Sequence, residues 1–493
     1  MKTAPAFLAF DLGAESGRAV LGRLRNDWIE LQEIHRFPNG PVQIGDSLHW
    51  DVLRLWQEIE HGLALAIRGA GDSLISLGVD TWGVDFGLLD VHDHLIGNPF
   101  HYRDHRTEGI LEKIPPSTSF AEIYQQTGIQ IMAINSLYQL ASMALVGSPQ
   151  LAAASTFLNM PDLFNFWFCG VKTSEYTIAT TTQCYSPVTG DWAWDLLNKF
   201  QIPTHIFGEI VSPGTVLGKT RSSVAKNIGL EGLNVVSVAS HDTQAAIAAI
   251  PAETDNYLYL SSGTWSLMGI EVKRPVITDL SQTYDLTNEG GYGGKFCLLK
   301  NIAGLWLLQE CRREWARNDR EYSYDELTGL AASAAPLKSF VDPTDPVFLA
   351  SGDMAVRVQA YCRATGQPVP EGYAEIVRCI LESLTLEYCH VVEQISNLSG
   401  LSLPVIHITG GGARNELLNQ FTANATGRKV IAGPVEATAL GNILVQAIAA
   451  GQVASLAEGR SLIRRTVETR VFEPKDPDPW NQAYKRYMKL RNK

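Results

Sequence analysis

At 493 residues the chain is too long for one hydrophobic core, so two domains of about 200–250 residues are expected. Hydrophobic residues make up 45% and charged residues 19%, as in ordinary globular proteins. The formal net charge of −12 argues against nucleic acid and anionic membranes as partners, since both need a positive surface, but leaves open a small anion held by backbone N–H groups.

The N-terminus, Met1–Pro5, runs straight into a short apolar strand with no signal-peptide pattern, and no apolar run approaches the roughly 18–20 residues of a membrane span. The seven cysteines are odd in number, show no C-x-x-C spacing and sit among apolar residues, which fits reduced thiols in a cytoplasmic protein. Phe7–Asp11, Arg18–Leu24 and Ile29–Phe37 read as an antiparallel meander. Asp51–Arg68 places Leu53, Trp56, Ile59, Leu63 and Ile67 at helical spacing, and Ser76–Val79 is a short strand. Further on, Leu233–Val238, Tyr257–Leu260 and Pro404–Ile408 read as strands. Ala374–Leu398 and Glu436–Ala450 read as helices, the former with Ile376, Ile380, Leu384, Tyr388, Val391 and Ile395 on one stripe. The boundary falls near 246–256, giving domains 1–248 and 249–493. Cys362 and Cys379 flank a Gly/Pro turn between helical patterns and are the thiols expected closest in space.

The chemistry gathers where strands end. Asp11-Leu12-Gly13-Ala14-Glu15-Ser16-Gly17-Arg18 delivers a carboxylate into a tight turn of small residues, which suits a polyphosphate and the water shell of a metal. Ser261-Ser262-Gly263-Thr264-Trp265-Ser266 and Thr409-Gly410-Gly411-Gly412-Ala413-Arg414-Asn415 are two more such turns; alone, each of the three also reads as a plain polar turn. Neither a P-loop nor a G-x-G-x-x-G pattern follows the first strand, which excludes a P-loop ATPase and makes a Rossmann dehydrogenase a poor fit. Ser240-His241-Asp242-Thr243 ends a strand before an Ala-rich helix; Asp242 is placed to accept a proton during phosphoryl transfer, or to cap the helix. Asp80-Thr81-Trp82-Gly83-Val84-Asp85-Phe86-Gly87 mixes carboxylates with an aromatic face, as a polyol site does, and also reads as a turn with a core Trp. His101–Arg106 is a dense polar cluster that composition alone leaves as solvated surface.

Together, and in this order, these segments resemble the FGGY carbohydrate kinases, and within them the rhamnulokinase subfamily. The resemblance spans nearly the whole chain and is most specific at Gly78–Phe86. It also draws on Asn288-Glu289-Gly290-Gly291 and on Lys300–Gln309. It implies an α/β fold of two actin-like (ribonuclease H-like) lobes with ATP and sugar in the cleft between them. The implied reaction is ATP- and Mg²⁺-dependent phosphorylation of L-rhamnulose at O1. The implied base is Asp242, with Asp11 holding Mg²⁺ through water and Asp242 as a second candidate metal ligand. Sugar contacts are implied for Thr81, Trp82, Gly83, Asp85, Asp104, Arg106, His241, Thr243 and Asn301. ATP contacts are implied for Gly13, Ala14, Glu15, Ser16, Gly17, Arg18, Thr264, Gln309, Gly410, Gly411 and Asn415. Glu15 departs from the family pattern by putting an acid in the first phosphate loop. The implied partners are the sugar and ATP, with no nucleic acid or membrane, in a monomer or small homo-oligomer. The competing readings are a kinase for another ketose, such as L-fuculose or xylulose, and a catalytically silent actin-like sensor or assembly protein. Asp11 and Asp242 speak against silence.

Overall fold

The first sheet begins with β1 (Ala6–Leu12), β2 (Ser16–Leu24) and β3 (Ile29–Pro38), three strands joined by tight turns. The structure is a computed structural model describing residues 4–224, 232–317, 320–349 and 352–491. After helix α1 (Val52–Ala70), the strands β4 (Leu74–Thr81), β5 (Thr215–Lys219) and β6 (Asn234–Ser237) complete a sheet ordered β5-β6-β4-β1-β2-β3. The β1–β2–β3 meander is antiparallel, whereas β4 runs parallel to β1 and β6 parallel to β4. Helix α2 (Asp242–Ala248) leaves the end of β6.

A second sheet uses β7 (Leu258–Ser262), β8 (Ser266–Val272), β9 (Phe296–Ile302), β10 (Val405–Thr409), β11 (Lys429–Ala432) and β12 (Arg470–Phe472). The strand Thr287–Gly290 adds a seventh at the edge beside β9, and from there the order runs β9-β8-β7-β10-β11-β12, with β7–β8 antiparallel, β10 and β11 added parallel, and β12 antiparallel. Each sheet thus has a meander, two parallel strands and an antiparallel edge, which is the repeated ribonuclease H-like plan. The chain divides into two compact units that alternate along the sequence. One comprises Met1–Pro251, Glu271–Leu298 and Ala437–Thr466, and the other the segments between and after them.

The apolar pattern explains these elements, with one correction. Asp51 caps α1 by accepting from Arg54 N–H, and the helix buries Val52, Leu55, Ile59, Leu63 and Ala66. Leu53, expected on that stripe, is 60% exposed, because the buried face is rotated by one residue. A short hairpin, Pro41–Ile44 with Ser47–Trp50, precedes α1 and was not expected. Helix α3 (Gly372–Ser399) is buried from Ile376 through Cys389 and again at Val391, Val392, Gln394 and Ile395, so all six expected stripe residues are buried. Helix α4 (Ala437–Ala449) packs against β1, β4 and α2 in the first unit. Cys362 and Cys379 are free, buried and in mutual thiol contact, as their position suggested.

Candidate active site

The parallel register of β1 and β4 sets Asp11 opposite Asp80, and the antiparallel register of β1 and β2 sets Asp11 opposite Arg18. Arg18 ion-pairs with Asp11. In the turn between these strands, Gly13 N–H donates to the Ser16 carbonyl (3.0 Å), and Asn39 donates to the carbonyls of Gly13 and Glu15. Ala14 packs against the core, and Gly17 has no room for a Cβ beside Phe37, so its smallness serves packing within the sheet.

Asp80 is fully buried. Its Oδ2 accepts from Asn442 Nδ2 on α4 (2.6 Å), and its Oδ1 has no partner. Asn442 is held by Gln446, whose own oxygen accepts from Ser76. Burial, then the nearby Asp11 and Asp242 charges, push the Asp80 carboxyl well above the usual carboxylate range.

Thr81 N–H donates to the Ser240 carbonyl (2.9 Å), which brings the end of β4 against the Ser240–Thr243 segment. His241, not Asp242, is the cap position of α2; Asp242 opens the first turn, and its Oδ1 accepts from Thr243 N–H (2.6 Å). Asp242 therefore satisfies one free amide of the first turn of α2 from inside the helix and not from its cap position. His241 Nε2 lies 3.5 Å from Asp242 Oδ1, and His241 Nδ1 lies 3.0 Å from Glu289 Oε2. Burial raises the Asp242 pKa to about 6, against the lowering pull of His241 and with a further rise from Asp11. For His241 burial acts downward, but Glu289, Asp242 and Glu175 together raise it. The segment is backed from below: Glu175 Oε2 accepts from Ser240 N–H and Ile178 N–H (both 3.1 Å) and from the Thr177 hydroxyl, while Thr177 Oγ1 accepts from His241 N–H.

Asp85 is the second carboxylate centre. Its Oδ2 accepts from Trp50 Nε1 (2.6 Å), Trp82 Nε1 (2.9 Å) and Tyr102 N–H (3.3 Å), and its Oδ1 accepts from Gln139 Nε2 (3.0 Å). Burial lifts its pKa to about 6. The preceding Val84 has φ +67°, a strained value for a branched residue, held by Thr181 on its N–H and by Ser136 and Gln139 on its carbonyl. Gly83 sits so close to Thr181 that a Cβ would meet it at 3.1 Å. Arg106 donates to Gln139 (2.5 Å) and stacks over Phe100, while its buried Nε and Nη1 have no partner. Asp104 is spent on the backbone amides of Leu48 and Arg106, so the structure gives it a supporting place.

In the second unit, the β7–β8 hairpin closes with Gly263 N–H donating to Trp265 O, and Trp306 N–H donates to Thr264 O. Gly412 packs against this hairpin: a Cβ there would lie 2.0 Å from Ser262 Oγ, itself buried without a partner. Gly410 has φ +79°, and a Cβ there would lie 3.0 Å from Ser262 O, whereas a Cβ at Gly411 would meet nothing within 4 Å. Asn415 caps the helix Glu416–Thr426 by accepting from Leu418 N–H. Gln309 on the helix Trp306–Arg317 carries a buried Oε1 without a partner, and Asn301 lies half-buried on β9. Sequence reasoning assigned no role to Trp50, Gln139, Glu175, Glu289 or Asn442. Of these only Glu289 lay in a segment singled out beforehand.

Comparison with known proteins agrees. Residues 6–249 match the N-terminal domain, and residues 258–450 the C-terminal domain, of the FGGY family of carbohydrate kinases. The chain is 44% identical over 478 residues to the rhamnulokinase of Bacteroides thetaiotaomicron, covering 97% of this chain and 98% of that one. It is 39% identical over 465 residues to the rhamnulokinase of Oceanobacillus iheyensis, covering 94% and 97%. The crystal structure of ligand-bound xylulose kinase from Lactobacillus acidophilus superposes with a TM-score of 0.81 at 16% identity, covering 99% and 98%, and so shares the fold.

Proposed function

The chain belongs to the FGGY family of carbohydrate kinases, and from that premise we propose that it transfers the γ-phosphoryl group of ATP to O1 of L-rhamnulose, in L-rhamnose catabolism. The sugar's name comes from the relatives; the chemistry comes from the residues. The observation that carries the reading is Asp242: a partly exposed carboxylate in the first turn of α2, just past the end of β6, whose pKa desolvation lifts to about 6 so that it is ionised at neutral pH. As the sugar oxygen attacks, its proton passes to Asp242, the new P–O bond forms and ADP leaves.

Asp85, fixed by four donors, and Arg106, with unpartnered N–H groups, serve the sugar hydroxyls together with Thr81, Trp82, Gly83, His241, Thr243 and Asn301. The turns at 11–18, 261–266 and 409–415 are the proposed nucleotide loops; Gly411 faces open space, and Gln309 offers an unpaired acceptor. Mg²⁺ would neutralise phosphate oxygens. Asp11, near the end of β1 opposite Asp80, is the residue that would hold it through water. Seven free cysteines fit a reducing cytoplasm, and no helix among the described residues is long and apolar enough to cross a membrane.

Coupled ADP release across L-rhamnulose, L-fuculose, D-xylulose and glycerol tests the reading. L-Rhamnulose should give the highest kcat/KM. A higher value for another acceptor reassigns the substrate, and no turnover with any would favour the silent sensor.

A further inference from the structure

Asp242 stands on a helix with little in its own side chains to fix it. The helix α2 has seven residues, about two turns, and is buried from Thr243 to Ala248. Ala245, Ala246 and Ala248 offer only methyl groups. The neighbouring α4 is as smooth, since a Cβ on Gly441 would lie 1.8 Å from Ala245 O, so backbone meets backbone there. Surfaces with few ridges to interlock press α2 into place without setting its tilt or rotation. At the N-terminal end, Ser240 N–H and His241 N–H are tied to Glu175 and Thr177, which places the start of the helix but not its direction.

The other end is gripped by a buried arginine. Helix α5 (Leu456–Thr466) carries Arg460, whose Nη2 donates to Ile247 O (2.9 Å) and whose Nε donates to Ala248 O (3.3 Å). These are carbonyls of the last turn, which a helix end leaves short of partners. Ile247 O also accepts from Ile250 N–H (3.1 Å). The guanidinium is held in turn: Nη2 donates to Glu271 Oε2 on β8 (2.9 Å), and Lys295 Nζ lies 3.6 Å from Glu271 Oε1. The Arg460 and Glu271 side chains are 8% and 6% exposed, so water screens the pair little. A cation at this end also suits the helix dipole.

We infer that Arg460 is a positioning residue for phosphoryl transfer: fixed by Glu271, it grips the C-terminal carbonyls of α2 and sets the direction in which the first turn of that helix presents Asp242. Two points fix an axis, and Arg460 supplies the second. Lysine keeps the charge but lacks the planar fork that meets two carbonyls and a carboxylate at once. A short helix released at one end tilts as a rigid rod, and misalignment of a reacting group by about 1 Å can cost on the order of 100-fold in rate. Arg460 touches no reacting atom and acts on turnover through Asp242.

This inference rests on the kinase reading with Asp242 as base. Arg460→Lys should lower kcat by about 10–100-fold with the L-rhamnulose Kd within about threefold. The same substitution in an Asp242→Asn background should cost nothing further, because no base is left to align. A purely structural role would lower kcat equally in both backgrounds. Glu271→Gln keeps the shape of the side chain but not the charge that holds the guanidinium. It should lower kcat by about 3–10-fold, again with Kd nearly unchanged, and it carries the test where Arg460→Lys folds poorly. An unchanged kcat in either folded variant, or a full additional loss from Arg460→Lys in the Asp242→Asn background, overturns the inference. Failure of the kinase reading would look different: wild-type enzyme would phosphorylate no ketose, or Asp242→Asn would stay active.

Discussion

At the scale of single residues, the site is a set of buried carboxylates, each with its own set of donors. Asp85 has four donors, Asp80 one from Asn442, and Glu175 three. Glu175 shows what such burial costs. Its pKa is lifted from 4.5 to about 7, chiefly by desolvation. Between those values the folded protein keeps a proton that the unfolded chain releases, so Glu175 weakens the fold as pH rises through that window. Glu175→Gln removes the titration. Its melting temperature relative to wild type should therefore improve between pH 5 and pH 8, and a difference independent of pH would show that Glu175 does not titrate there. Asp242→Asn and Glu175→Gln also separate two duties: the first acts on the reacting hydroxyl, while the second loosens the segment bearing His241 and should change stability before it changes chemistry.

At the scale of elements, the three glycines after β10 have three different tasks. Gly410 adopts a positive φ, Gly412 makes room for Ser262, and Gly411 faces open space. Gly412→Val should destabilise the protein by about 1–3 kcal/mol through overpacking against the β7–β8 hairpin, measurable by urea unfolding. Gly411→Val should fold normally yet weaken ATP binding in a calorimetric titration, with sugar binding unchanged. Unaltered ATP affinity would remove the 409–415 turn from the nucleotide site. The end of β4 makes a similar point. Val84 is held at φ +67° by three hydrogen bonds, and this bend turns Asp85 toward Trp50 and Trp82. Val84→Gly relieves the strain, so its stability should stay within about 1 kcal/mol of wild type while sugar affinity falls as Asp85 loosens. A melting-temperature scan paired with sugar titration separates the two effects.

At the scale of the whole molecule, one strand plan occurs twice, and that plan was readable because each meander and parallel strand is a short apolar run ending in small or polar residues. The strand-end residues Asp11, Asp80, Thr81, His241 and Asp242 were readable for the same reason. Their supports were not. Asn442 reaches Asp80 only because α4 returns to the first unit some 360 residues later, and Glu175 and Glu289 meet the His241 segment from separate stretches of chain. Nothing local in sequence marks such returns, since a buried Asn on an Ala-rich helix or a Glu on a short strand has no distinctive spacing. The hairpin at 41–50 and the rotated face of α1 were missed because short apolar runs and an extra Leu fit several patterns. What unites both scales is the claim that a ketose hydroxyl loses its proton to Asp242. The amide of Asp242→Asn is nearly isosteric and can still bond the sugar, but it cannot take that proton. Sugar binding by calorimetry and turnover by ADP release, on one preparation, therefore bear on it most directly. The account predicts an L-rhamnulose Kd within about tenfold of wild type and a kcat lower by about 10²–10⁴-fold; a folded variant retaining more than about a tenth of wild-type kcat would contradict it.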